Sequence, residues 1–159
     1  MRTIRFRLNG SEREAEIEDH ILLLEMLRAL GLVGAKLSCD AEVCGACTVQ
    51  LDGRPVSACT TLALEADGRR VDTIEGLAIG TKLHPLQQAF IDNFAFQCGY
   101  CTPGMIIAAK SLLEERPRPT PAEIRHWMEG NICRCTGYQT IVDAVLDAAG
   151  ASREPAEPR

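Results

Sequence analysis

Aromatic residues are scarce in this chain: four Phe, two Tyr and one Trp among 159 residues. Any core is therefore built mostly from aliphatic side chains. No basic run occurs and the formal net charge is −5, so the electrostatic footprint of a nucleic-acid binder is missing. No apolar stretch approaches the roughly 18 residues that a membrane span requires. The first residues alternate charged and apolar side chains like a strand and show neither an apolar signal region nor twin arginines. A cytoplasmic protein without a membrane span is expected. Histidine is rare as well: His20, His84 and His126 share no ligand spacing, so surface or capping roles are expected of them. Gly31-x-x-Gly34 is too short for a dinucleotide fingerprint and reads as a helix end. With no Ser–His–Asp set, phosphate loop or poised carboxylate pair, no catalytic centre is expected in this chain.

What is abundant is cysteine, eight residues with none left over. Cys39-x4-Cys44-x2-Cys47, followed by Cys59, has the ligand spacing of a plant-type [2Fe–2S] ferredoxin. Cys98-x2-Cys101, followed by Cys133-x-Cys135, supplies a second set of four thiolates. Two complete sets point to two clusters and to electron transfer. Zinc also takes four cysteines, but its usual pair of CxxC knuckles does not match the first set. Cys133-x-Cys135 is too tight for a comfortable disulfide, and reduced cytosolic thiols are more often metal ligands. Cys98-Gly-Tyr-Cys101 has the form of a thiol-redox motif, yet the βαβ context is absent and the other cysteines would have no purpose.

Each cluster carries two negative charges when oxidised and three when reduced, so its burial requires donors or dipoles. Gly45 and Ala46 let backbone N–H groups approach the first site. In the second, Cys101 precedes Thr102 and Cys135 precedes Thr136. If both threonines are N-caps, two helix N-termini face one cluster.

The chain divides in character at Gly76. Before it, strands over 3–8 and 14–18 joined at Asn9-Gly10, a helix carrying Leu22, Leu23, Met26, Leu27 and Leu30, a hairpin around Asp52-Gly53 and a last strand over 71–74 suggest a β-grasp. After it, helical spacing marks four helices: Leu83 to Phe94 with Pro85 at the start, Met105 to Leu113, Ile124 to Met128 behind the capping box Thr120–Glu123, and Ile141 to Ala149 behind a box-like Thr136–Gln139. The expected fold class is α+β: a β-grasp ferredoxin-like domain over 1–76, then a four-helix bundle over 77–150. A disordered tail is expected over 151–159. Trp127 and Met128 read as core. Phe94 and Phe96 read either as core or as a partner contact.

Cys44-Gly-Ala-Cys47-Thr-Val, Gln97-Cys-Gly-Tyr-Cys-Thr-Pro-Gly104 and Asn131-Ile-Cys-Arg-Cys-Thr-Gly-Tyr138 resemble the small iron–sulfur subunit of molybdenum hydroxylases, the xanthine dehydrogenase, aldehyde oxidase and aerobic carbon monoxide dehydrogenase family. The resemblance runs from about Ile4 to Ala149. It implies one [2Fe–2S] cluster in each domain, held by Cys39, Cys44, Cys47 and Cys59 and by Cys98, Cys101, Cys133 and Cys135. It also implies a large partner subunit with a molybdenum–pterin cofactor and a medium subunit with FAD. Gln97 and Cys135 would then lie against the pterin, where electrons enter, leaving through the first cluster towards flavin. Ser38 and Glu42-Val43 depart from the family's commoner residues while leaving the ligands intact. The alternatives are a stand-alone two-cluster carrier and a zinc-stabilised interaction module.

Overall fold

The computed structural model describes residues 1–150; the tail expected to be disordered lies outside them. Among the described residues the fold is α+β, with a five-stranded mixed sheet and one helix followed by four further helices.

Strands β1 (Arg2–Leu8) and β2 (Ser11–Ile17) form an antiparallel hairpin. Asn9 and Gly10 take left-handed backbone at φ 50° and 84°, as a two-residue type I′ turn requires. That turn pairs Leu8 with Ser11 at once, so β2 starts at Ser11 rather than at residue 14 as its alternation suggested. Helix α1 (Leu23–Ala29) lays Leu23, Leu24 and Leu27 against Ile4, Phe6 and Val49 of the sheet and ends at Gly31, φ 83°. The second hairpin, β3 (Thr48–Leu51) and β4 (Arg54–Ser57), turns at Asp52-Gly53. Strand β5 (Arg70–Asp72) lies between β1, to which it is parallel, and β3, giving the order β2-β1-β5-β3-β4. The last strand is shorter than the expected 71–74. Thr73 N–H donates to Asn9 Oδ1 at 2.8 Å instead of continuing the ladder, and a 3₁₀ turn over Ile74–Gly76 follows.

Helices α2 (Pro85–Asp92), α3 (Thr102–Glu115), α4 (Pro121–Trp127) and α5 (Gln139–Ala148) share a second core. Leu86, Phe90, Met105, Ile107, Ile124 and Ile141 are each at most 1% exposed there. His84 caps α2, its Nδ1 accepting from Leu86 N–H at 3.2 Å. The box before α4 forms as read: Thr120 Oγ1 accepts from Glu123 N–H at 3.3 Å, and Glu123 accepts from Thr120 N–H at 2.8 Å. Met128 is buried, and the Trp127 indole N–H donates to Ala108 O at 2.9 Å. Phe94 does not extend α2. Asn93 caps the helix, Phe94 turns left-handed at φ 52°, and its ring is 82% exposed.

The two cores meet where α3 crosses β3. All four β3 residues are buried, because α1 covers one face and α3 lies over the other. At this crossing the carbonyl of Gly45 sits where a Gly104 Cβ would be. Gly104→Ala forces backbone apart and should destabilise by about 1–3 kcal/mol, read as a fall in Tm of several degrees. Gly130→Ala, where added bulk meets nothing within 4 Å, should leave Tm within about 1 °C, as surface changes do.

Candidate metal centres

The first four cysteines are brought together by one hairpin and one loop. Cys47 immediately precedes β3 and Cys59 follows β4. The register Thr48↔Ser57 sets these two thiols side by side, both at most 3% exposed. Burial, with Cys59 adjacent, pushes the Cys47 thiol up to about 12. Such a group ionises when a metal replaces its proton.

Cys39 and Cys44 come from the loop and are only partly buried. Asp40 (φ 54°), Glu42 (φ 57°) and Gly45 (φ 67°) are left-handed. Residues alternating in this way turn successive N–H groups inward as a nest for an anion. Here Ala41, Val43 and Cys44 N–H groups donate to Cys39 Sγ at 3.4, 3.3 and 3.3 Å. These bonds, Ala41's first, draw the Cys39 thiol down to about 7. Each non-glycine residue in that region costs about 1–2 kcal/mol, a strain that the sulfur-directed N–H groups account for.

The second four come from two helix starts. Cys101 is the N-cap of α3 and Thr102 its first helical residue, one position from the expectation that Thr102 caps. The α3 terminus still presents free N–H groups and partial positive charge beside that thiol. Helix α5 differs more. Its N-cap is Tyr138 at φ 71°, not Thr136. The Thr136 hydroxyl instead donates to Cys133 Sγ at 3.2 Å, and the Tyr138 hydroxyl accepts from Cys133 N–H at 2.9 Å. The Thr136 oxygen still accepts, from Tyr138 N–H at 3.2 Å, but Gly137 (φ 67°) and Tyr138 (φ 71°) are left-handed, so helical backbone cannot begin before Gln139. Burial, together with neighbouring Cys133, pushes the Cys101 thiol up to about 12. The Cys133 thiol is burdened by burial too, but the Thr136 hydroxyl and backbone N–H groups bring it below its ordinary value.

Within each set the thiols lie close to one another. Cys98 Sγ and Cys135 Sγ lie 3.7 Å apart, and Cys101 interacts directly with Cys133. In the first set Cys39 meets Cys44, and Cys47 meets Cys59. A tetrahedral metal with bonds of about 2.3 Å sets its sulfurs about 3.7 Å apart. Among the described residues no three Cys, His, Asp or Glu side chains converge on one ion position. Four thiols in each set are the complement that a [2Fe–2S] cluster would take. Cys47 and Cys59 are buried beside partly exposed Cys39 and Cys44; in the second set Cys133 is buried, Cys101 and Cys135 are partly exposed and Cys98 is exposed.

The two sets touch through backbone. Ile132 N–H donates to Cys44 O at 2.9 Å, joining a residue of the first set to the neighbour of Cys133. Buried Asn131 donates to Gly45 O at 3.0 Å and to Thr48 Oγ1 at 3.3 Å. A Cβ on Gly45 would collide with Gly130 O and Asn131. On the outer side Tyr100 Oη donates to Leu37 O. Gln97 is exposed, and its Nε2 donates to Cys135 O at 3.0 Å. The bridging roles of Asn131 and Tyr100, and the bond of Tyr138 to Cys133, went unread in the sequence, although all three stand within the quoted motifs.

Residues 6–77 match the family described as "2Fe-2S iron-sulfur cluster binding domain", and residues 73–146 match the "[2Fe-2S] binding domain" family. The nicotine 6-hydroxylase small subunit of Paenarthrobacter nicotinovorans is 49% identical over 144 residues, 90% of this chain and 87% of its own. The xanthine dehydrogenase iron-sulfur-binding subunit of Escherichia coli O157:H7 is 45% identical over 148 residues, 91% of this chain and 92% of its own. The structure of quinoline 2-oxidoreductase from Pseudomonas putida 86 superposes with a TM-score of 0.90 at 46% identity, covering 93% of this chain and 92% of that one. Matched to two [2Fe–2S] families and to these relatives over most of its length, the protein is a member of the small iron–sulfur subunits of molybdenum hydroxylases, which transfer electrons within the complex.

Proposed function

We propose that the chain carries single electrons from a molybdenum–pterin site in a large partner subunit to FAD in a medium one. In this reading residues 1–76 are a β-grasp ferredoxin-like domain and 77–150 a four-helix domain. Cys39, Cys44, Cys47 and Cys59 hold one [2Fe–2S] cluster; Cys98, Cys101, Cys133 and Cys135 hold the other. The clusters, when bound, supply reversible one-electron redox chemistry. The chain's own part is to bury them, donate N–H groups to their sulfurs and keep them close.

The observation that carries the reading is the bond from Ile132 N–H to Cys44 O. It leaves one hydrogen bond and one peptide link between a ligand of the first cluster and Cys133 of the second. A second observation favours a covering partner over a free carrier. Around Cys98 and Cys135 lie exposed Phe96, Tyr100, Ile132 and Tyr138, each at least 38% exposed. Apolar surface of this kind, gathered at a polar site, is characteristic of a protein interface. Gln97 and Cys135, already joined by a hydrogen bond, would face the pterin from that surface. Eight cysteines, none of them in a disulfide among the described residues, suit a reducing compartment such as the cytoplasm.

Two substitutions test the partition, each in the complex purified with its partners. Cys135→Ser should perturb the helical-domain cluster signal and block electron flow from substrate to the natural acceptor; undiminished turnover would remove Cys135 from the route. Cys44→Ser should alter only the other cluster, with substrate still reducing the helical one. Loss of both signals from a protein that remains folded would show that the two sites are not separate.

A further inference from the structure

A second contact joins the two halves away from the cysteines. Gln50 lies on β3 shortly after Cys47 and is 0% exposed. Its neighbours Val49 and Leu51 face the sheet core with α1. Gln50 faces α3, where an aliphatic side chain would meet the demand for burial. Instead its Nε2 donates to Ser111 Oγ at 2.8 Å and Glu114 Oε2 at 2.7 Å, with Gly53 O at 3.2 Å. Its Oε1 accepts from Lys110 Nζ at 2.7 Å, and Lys110 donates on to Glu114 Oε1 at 2.6 Å. Since an ammonium only donates, the amide's orientation is fixed by its partners.

The Glu114 carboxyl is pushed up by burial, but hydrogen bonds from Lys110 and Gln50 hold it below its ordinary value. The closed ring of bonds thus keeps its charge. Apolar packing is non-directional, so a helix held on a sheet by aliphatic contacts alone can settle at neighbouring angles. The ring is directional: Gln50 and Ser111 are buried and Lys110 mostly so, while Glu114 reaches solvent, so a displaced register leaves the buried amide and hydroxyl unpaired at about 1–3 kcal/mol each.

The position of the ring matters. Helix α3 begins at Cys101, and its first turn is pinned by the close approach of Gly104 to Gly45 O. Lys110, Ser111 and Glu114 lie about 14–20 Å further along the axis, at about 1.5 Å per residue. One contact near the thiols fixes position; a second, distant contact fixes angle.

Resting on the two-cluster reading above, we infer that Gln50, Lys110, Ser111 and Glu114 are positioning residues for electron transfer, setting the spacing and relative orientation of the two metal centres. The step they serve moves one electron, the second centre being oxidised and the first reduced, with no bond or proton exchanged.

The test is Gln50→Leu in the intact complex, read by iron content, by the paramagnetic resonance of the fully reduced clusters and by rapid-mixing kinetics. The expected result is full iron and two signals of normal shape at unchanged potentials. The magnetic splitting between the two reduced clusters is altered, since it varies with the inverse cube of their separation, and electron equilibration between them is slower. The exchange Gln50→Glu with Glu114→Gln conserves charge and the Lys110 partner, and should restore both readouts. Lys110→Met carries the same expectation and decides the matter if Gln50→Leu fails to accumulate. Unchanged splitting and unchanged equilibration in these variants would overturn the inference and leave the ring a stabilising contact only. Absence of two cluster signals from the unsubstituted protein would instead overturn the reading beneath it.

Discussion

The backbone bond from Ile132 N–H to the Cys44 carbonyl is the constraint on which the rest of this structure depends. It brings together two loops that each surround thiols, and such loops repel once their thiols become anionic. For that contact to hold, Gly45 must lie under Gly130 and Asn131, and Gly104 must let α3 press against the Gly45 carbonyl beside it. A side chain at either glycine would push the cysteine groups apart. Asn131 then ties the first loop to β3 from the side of the second. The sheet and the helices are, in this sense, supports for one short stretch of shared backbone.

Burying negative sulfur is the second demand, and the two sites meet it differently. The first loop spends backbone strain, holding Asp40 and Glu42 in left-handed conformations so that three N–H groups converge on Cys39. The second relies on the start of α3 at Cys101 and on the Thr136 hydroxyl at Cys133. Hydrogen bonds to cluster sulfurs raise the reduction potential. The two sites therefore have separate means of setting their potentials, as a directional relay requires.

Much of this could be read in advance wherever the signal is local. Cysteine spacing reports ligand geometry directly, the Asn9-Gly10 turn fixes a hairpin register, and Thr120 with Glu123 fixes a helix start. Three motifs carried the family. Reading stopped where one side chain had two possible partners. Thr136 has the sequence context of a helix cap and bonds both a sulfur and Tyr138 N–H, but the left-handed Gly137 and Tyr138 move the start of α5 to Gln139. Phe94 fits the helical period of α2, yet a capping Asn93 and a left-handed turn expose it; periodicity does not distinguish a core face from a partner face. Gln50 was the least legible of all. In an alternating strand it reads as a solvent-facing residue, and its role exists only once α3, far along the chain, lies across it.

The most direct test of the central claim is the metal content of the natively purified protein with its partners attached, taken together with the paramagnetic resonance of the reduced sample. Two [2Fe–2S] clusters require about four irons per chain and two distinguishable signals, accompanied by molybdenum. Zinc in place of iron, or about two irons per chain with a single signal, would contradict the account of two linked clusters.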